Sequence, residues 1–263
     1  MSSSIALLTD FGTKDHYAGV LKGVIAQINP QCRVIDINHG ITPQNIAEGA
    51  WSLYQAYSYF PQGTVFVTIV DPGVGTKRRI LCVRTQNFYF IAPDNGLLDP
   101  TLRIEKPKEI RSITNSDYFL NHQISSTFHG RDVMAPCAAH LIKNQKIYDK
   151  LGPRIHRITP LPFEEASTGK HQIKGTVLYF DYYGNAFTNV KKSFLSDPGW
   201  DSAEISIKSK KIRLFPSYGY SQKKFAAVWN SSGHLELAVP GGSIQKELKL
   251  KVGEKFKIQF YEK

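Results

Sequence analysis

Thr68-Ile69-Val70-Asp71-Pro72-Gly73-Val74-Gly75-Thr76-Lys77-Arg78-Arg79 is the stretch on which the fold turns. An apolar run, Thr64 to Val70, stops at a carboxylate, and a Pro-Gly turn, a second glycine and paired arginines follow. Such a run reads as a buried strand, and the residues past its end read as a loop. In open α/β sheets ligands sit outside the carboxyl ends of strands, which puts Asp71 where chemistry is usually done. The competing reading is a surface turn that happens to carry an acid.

The arrangement recurs. Ile5-Ala6-Leu7-Leu8-Thr9 leads into Asp10, Phe11 and Gly12, and Phe88-Tyr89-Phe90-Ile91-Ala92-Pro93 leads into Asp94, Asn95 and Gly96. If these strands are parallel, three carboxylates gather on one rim. Clustered carboxylates repel, so such a rim calls for a cation, a metal or a polar ligand.

Strand and helix signals alternate through this part of the chain. Ile5–Leu8, Arg33–Ile37 and Thr64–Val70 read as strands, and Tyr17–Ile28 and Ile46–Phe60 as helices, the second stopped by Pro61. Alternation of this kind means βαβ units and a mostly parallel sheet with helices on both faces. After Ile80–Val83 and Phe88–Ile91 the order loosens, and Arg131–Asn144 returns to helix. Residues 152–169, with Pro153, Pro160 and Pro162, read as a linker. Beyond it come short strands separated by turns: Ile173–Phe180, Ala203–Ile207, Phe225–Trp229, Leu235–Ala238 and Phe256–Tyr261. That pattern predicts a small all-β barrel or sandwich. The fold class is therefore α/β: an α/β domain over residues 1–160 followed by an all-β domain over 161–263.

A chain of 263 residues buries a full core without staples. Cys32, Cys82 and Cys137 are odd in number, far apart and without metal-ligand spacing, so they read as reduced thiols of a cytoplasmic protein. Met1-Ser2-Ser3-Ser4 opens no signal-like segment, and no apolar run is long enough to span a bilayer, so no membrane partner is expected. The net charge of +11 suggests nucleic acid, but its distribution argues otherwise. Residues 1–100 hold seven Lys/Arg against seven Asp/Glu, whereas residues from 201 on hold twelve against six. That excess is scattered lysine, as in Lys208-Ser209-Lys210-Lys211, which suits a solvated face or a blunted sheet edge.

Three segments carry candidate chemistry. Thr9-Asp10-Phe11-Gly12-Thr13-Lys14-Asp15 precedes a helix, but its glycine spacing fits neither a Walker loop nor a dinucleotide fingerprint. Its acids suit hydroxyls or an ammonium, unless Asp10 only caps the helix. In Phe128-His129-Gly130-Arg131-Asp132, a histidine stands in a glycine-flanked loop just before a helix, a setting for acid–base work as much as for structure. Asp132 reads as a charge at the helix N-terminus. Phe180-Asp181-Tyr182-Tyr183-Gly184-Asn185-Ala186-Phe187-Thr188-Asn189 reads equally as a nucleobase contact or as a hairpin turn. Asn230-Ser231-Ser232-Gly233 is turn chemistry whose serines suit a carboxylate.

Together with Leu8-Thr9-Asp10-Phe11-Gly12, Val70-Asp71-Pro72-Gly73-Val74-Gly75 and Ala92-Pro93-Asp94-Asn95-Gly96, these segments make the chain resemble the S-adenosylmethionine hydroxide adenosyltransferases, relatives of the fluorinase and chlorinase. The resemblance spans nearly the whole chain. It implies an N-terminal α/β domain, a C-terminal β-barrel and a homotrimer with active sites between subunits. It also implies attack of water on ribose C5′ of S-adenosylmethionine, giving adenosine and methionine with no cofactor and no metal. The hydrolase triad it implies falls on Asp71, Arg78 and His129; the chemistry leaves open which member holds the water's proton, and a histidine can take one near neutral pH. By position it puts Asp10 on the ribose hydroxyls, Asp15 and Asp181 near the methionine ammonium, and Asn185 on adenine with Phe187 nearby. Ser231 and Ser232 would meet the methionine carboxylate, and the backbone at Val239 and Gly241 would meet adenine. Two positions depart from the halogenases: Tyr17 stands where they carry serine, and Ser232 where the fluorinase carries arginine.

Three other readings remain open at this point. One is a same-fold enzyme that uses halide. Another is a metal-dependent phosphohydrolase with Asp10, Asp71, Asp94 and His129 as ligands. The third is a sensor that binds adenosine or S-adenosylmethionine without turnover.

Overall fold

Each strand of the first unit is placed by which of its faces meets a helix. The computed structural model describes residues 4–169, 171–194, 203–221 and 225–260, and it divides into two compact units, 1–162 and 163–263. Strand β1 (Ser4–Thr9) is buried along its whole length because it lies between β2 (Arg33–Asn38) and β3 (Val65–Ile69), parallel to both. Its side chains alternate between faces, as a strand requires. Ile5 and Leu7 join a core with Leu21, Val24 and Ile25 of helix α1 (Tyr17–Ile28). Leu8 faces helix α2 (Ile46–Ala56), where a Cβ on Gly49 would stand 2.9 Å from Val70 Cγ2.

The remaining strands are β4 (Ile80–Arg84), β5 (Tyr89–Pro93), β6 (Glu109–Ser112) and β7 (Arg154–Ile155), giving the order β2-β1-β3-β5-β4-β6-β7. The parallel character read from the alternation holds for β2, β1, β3 and β5. From β5 onward the pairings are antiparallel, so the sheet is mixed. Short connections through residues 85–88 let β4 and β5 pair as a hairpin, which removes the need for a crossover helix. Helix α3 (Asp99–Glu105) and β6 fall where the sequence pattern loosens. The helix expected over 131–144 begins as a π-helical turn, Gly130–Met134, and becomes regular only in α4 (Ala135–Lys143).

In the second unit, β8 (Ser167–Gly169) and β9 (Gln172–Phe180) follow the proline-rich stretch. Then come β10 (Ala186–Lys191), β11 (Glu204–Ile207), β12 (Lys210–Leu214), β13 (Ala226–Trp229), β14 (His234–Ala238), helix α5 (Ile244–Leu248) and β15 (Lys255–Gln259). The order β10-β14-β13-β12-β11-β15-β9 closes through a β9–β10 pairing into a seven-stranded barrel, with β8 added on β9. Of the strands expected here, the last ends at Gln259, and Tyr261 lies outside the described residues, as do Met1, Ser2 and Ser3. Among the described residues no helix is long and apolar enough to cross a membrane.

Gly175 is tightly packed inside the barrel: a Cβ there would stand 2.3 Å from Phe256 Cζ and 2.6 Å from Val190 Cγ2. Overpacking a close-packed core costs about 1–3 kcal/mol. Gly175→Ala is therefore expected to lower stability by about that amount in urea denaturation. Gly169→Ala, where the added carbon makes only ordinary contacts, should leave the midpoint unchanged.

Candidate active site

Strands β1, β3 and β5 are neighbours and parallel, so Asp10, Asp71 and Asp94 do emerge on one rim. The charges of Asp71 and Asp94 are answered by the loop that leaves β3. Val74 N–H donates to Asp71 O and Thr76 N–H to Gly73 O, two successive turns that fold the loop back on itself. The Thr76 hydroxyl then accepts from Arg78 N–H at 3.3 Å and fixes the return. This delivers the Arg78 guanidinium onto the Asp71 carboxylate, with Nε 2.9 Å from both Oδ1 and Oδ2 and Nη2 on Oδ2. Arg79 points the other way, donating through Nε to Asp94 Oδ2 at 2.8 Å and through Nη2 to the carbonyl of Arg157. Asp10 accepts from Gln44 N–H at 2.8 Å and does not cap α1, whose N-cap is His16.

The third member comes from the π-helical turn. His129 precedes it, and its Nδ1 lies 2.9 Å from Arg78 Nη2. A guanidinium only donates, so Nδ1 accepts and the proton of the neutral ring sits on Nε2. Burial and the adjacent Arg78 both lower the pKa of His129 below its ordinary value, against a smaller upward pull from Asp71 and Asp132. Among the triad members, His129 thus has its basic nitrogen already occupied by Arg78. The Arg78–Asp71 pair is largely removed from water, with side chains 10 % and 6 % exposed. Removing either partner would leave a buried charge without compensation.

Two glycines hold these segments together. Gly75 has φ +79°, and a Cβ there would stand 2.3 Å from the carbonyl oxygen of Ser126, so the β3 loop touches the segment leading to His129. A Cβ on Gly130 would stand 2.9 Å from Ile69 Cδ1. Asp132, read from sequence as a helix charge, is buried and accepts from Ser125 N–H at 2.7 Å and from Arg131 Nε at 2.6 Å. It clasps the 125–132 loop. Beside the triad, Phe11, Tyr17 and Phe128 form an edge-on aromatic group, and Asp15 lies exposed in the turn before α1.

The four-ligand metal arrangement does not form. Asp71 and Asp94 are each engaged by an arginine, and among the described residues no three His, Cys, Asp or Glu side chains converge as a metal would require.

In the second unit, β9 and β10 join through the hairpin expected at Gly184, whose φ is +80° and whose added Cβ would stand 2.0 Å from Ser243 Oγ. Asp181 Oδ1 accepts from Asn185 N–H at 2.8 Å and Oδ2 from the Asn185 amide at 3.0 Å. Both line a cleft of about 700 Å³ together with Tyr183, Tyr218, Val239 and Gly241. Four expected binding residues thus share one cleft, and Tyr218, which no sequence pattern singled out, joins them. Phe187 does not: it is 2 % exposed and stacks between Tyr179 and His234, behind the hairpin. Ser231 and Ser232 lie on the turn after β13, where the Asn230 side-chain oxygen accepts from Ser232 N–H, Ser232 Oγ and His234 N–H.

Known proteins resemble this chain over most of its length. The profile of the SAM hydroxide adenosyltransferase N-terminal domain matches residues 5–151, and that of the C-terminal domain matches residues 175–257. A protein of Methanocaldococcus jannaschii named (R)-S-adenosyl-L-methionine hydrolase is 34% identical over 89% of this chain and 87% of its own. One of the same name from Thermus thermophilus is 33% identical over 95% and 96%. The crystal structure of an uncharacterized conserved protein from Thermotoga maritima superimposes with a TM-score of 0.89 at 35% identity, covering 97% of this chain and 99% of that one.

The arrangement around His129 has a measurable consequence. Its imidazole should titrate below the ordinary histidine value in an NMR pH series, because the ring is partly buried and protonation must occur beside Arg78. Arg78→Met removes that cation and leaves Asp71 unpaired, and both changes should move the midpoint upward.

Proposed function

The chain belongs to the SAM hydroxide adenosyltransferase family, and from that premise we propose that it hydrolyses S-adenosyl-L-methionine to adenosine and L-methionine. The observation that carries the reading is Arg78, held 2.9 Å from both Asp71 and His129 at the carboxyl end of a central strand.

The chemistry asks little of the leaving group. Water oxygen forms a bond to ribose C5′ while the C5′–S bond breaks and its electron pair returns to sulfur. A sulfonium thus leaves as a neutral thioether, and no general acid is needed. The difficulty lies in the water, which must sit opposite the C–S bond and lose a proton. Asp71 has lone pairs beyond those engaged by Arg78, and we assign it as acceptor of the water's proton. Arg78 remains charged throughout and favours developing hydroxide. His129, with its proton on Nε2, acts as a donor that orients the water oxygen, and positioning of this kind contributes several kcal/mol. Asp10 is assigned to the ribose hydroxyls and Asp15 and Asp181 to the methionine ammonium. Asn185 with the backbone at Val239 and Gly241 reads adenine, Ser231 and Ser232 take the carboxylate, and Phe187 supports Asn185 from behind. The reading includes a cytoplasmic homotrimer with active sites between subunits, and it needs neither cofactor nor metal.

The test is incubation of purified protein with S-adenosylmethionine, without added metal or halide, followed by chromatography for adenosine and methionine in equal amounts. Asp71→Ala and Arg78→Met should each lower kcat by about 10²–10³. S-adenosylhomocysteine should not react, because its leaving group would be a thiolate. Binding without adenosine would replace the hydrolase with a sensor, loss of activity to a chelator would restore the metal reading, and halide dependence would favour the halogenating relatives.

A further inference from the structure

Glu236 lies in the middle of β14, between Leu235 and Leu237, which both point into the barrel core. Strand alternation turns Glu236 to the outer face, beside its cross-strand partners Phe187 on β10 and Val228 on β13. That face is not solvent: Glu236 is only 8 % exposed, and Phe187 and Val228 are buried with it. A carboxyl buried among apolar neighbours is costly unless its oxygens are satisfied. Here they are satisfied by two side chains. The Tyr218 hydroxyl donates to Oε1, and the Asn230 side chain supplies a second hydrogen bond. Burial and the bond to Glu236 raise the Tyr218 pKa, which keeps the phenol protonated and donating. Burial likewise raises Glu236, and the nearby Asp181 adds to that.

These contacts connect segments with separate assignments. Tyr218 and Asp181 line the cleft, and Asn230 is the residue whose oxygen holds the Ser231–Ser232 turn. We propose that Glu236 is a positioning residue for substrate binding: it fixes the Tyr218 wall of the cleft and the serine turn in one geometry without touching substrate itself. The inference rests on the assignment of that cleft and turn to S-adenosylmethionine.

Glu236→Gln keeps an oxygen for the Tyr218 hydroxyl but presents an amide N–H where Asn230 needs an acceptor. Glu236→Ala removes both contacts. Both variants, Tyr218→Phe, and the double variant Glu236→Gln/Tyr218→Phe are compared with wild type for Kd, by calorimetric titration with S-adenosylmethionine, and for KM and kcat, by adenosine release. The Ala variant should weaken Kd and KM about tenfold, the loss of a hydrogen bond to a charged group, with kcat within about twofold. The Gln variant and Tyr218→Phe should each show a smaller loss, and the double variant should be no worse than the weaker single, since one network is being broken. If the Ala variant fails to fold, the Gln and Phe variants carry the test. Wild-type Kd and KM in the variants, a loss confined to kcat, or additive effects in the double variant would overturn the inference while wild-type turnover leaves the hydrolase reading intact. A wild-type protein that binds but does not cleave would sink the hydrolase reading alone, the Kd series still deciding on Glu236. A wild-type protein that does neither would overturn both.

Discussion

A single guanidinium shared between a carboxylate and an imidazole organises the first unit's rim. Arg78 is largely shielded from water, permanently charged and engaged on two sides, by Asp71 from its own loop and by His129 from 51 residues further along. An ion pair withdrawn from water is weak evidence for stability, because desolvation offsets much of its attraction. Its value here is geometric: the planar fork admits few alternatives, so the β3 loop and the turn before α4 are fixed relative to each other. The tight approach of Gly75 to Ser126 follows from that demand, since any side chain at 75 would push the two segments apart. The π-helical turn at Gly130–Met134 belongs to the same set of constraints. One extra residue in the first turn of a helix is a recurrent device for presenting a side chain that a regular helix would misplace.

The neighbouring arginines show how two identical residues come to different uses. Arg79 meets Asp94 and a backbone carbonyl at Arg157, so its donors are spent on closing the structure. Arg78 meets a carboxylate and an imidazole, both groups that handle protons. The third rim acid, Asp10, accepts a backbone N–H from Gln44, a weaker claim on a carboxylate than either arginine makes. A rim with two neutralised acids and one lightly held acid suits a cationic, hydroxyl-bearing ligand better than a polyphosphate.

Much of this was legible in the sequence because its signals are local. The strands ending in Asp10, Asp71 and Asp94 announce themselves by apolar runs and glycines, and α1 spans the residues its periodicity marks. What escaped depends on contacts distant in sequence. The antiparallel half of the sheet follows from a hairpin closing β4 onto β5, and an apolar run looks the same in either direction. Phe187 looked like an aromatic beside a polar turn, yet strand alternation and the covering of the barrel's outer face bury it. Tyr218 and Glu236 carry no motif at all: eighteen residues separate them, and only the fold brings phenol and carboxyl together. The glycine-flanked loop around His129 is visible in the sequence, but the ring's tautomer depends on which group faces Nδ1, and that group comes from the other segment.

The tautomer bears on how the proton moves. With Nδ1 taken by Arg78, a neutral His129 has only an N–H to offer, and converting it to a base would require breaking its bond to the guanidinium or placing a second positive charge beside the first. Lowering of its pKa by burial and by Arg78 is the same statement in equilibrium terms. Asp71 carries the negative charge of the set, and protonating it would leave Arg78 uncompensated beside the sulfonium only while that substrate charge persisted. In the proposed sulfonium cleavage that charge disappears as the C5′–S bond breaks, so with Asp71 as the proposed acceptor the site would lose a cation as the carboxylate gains a proton. The total charge of enzyme and substrate groups is then conserved across the step, and a low-dielectric site built around one fixed guanidinium can accommodate it without rearrangement.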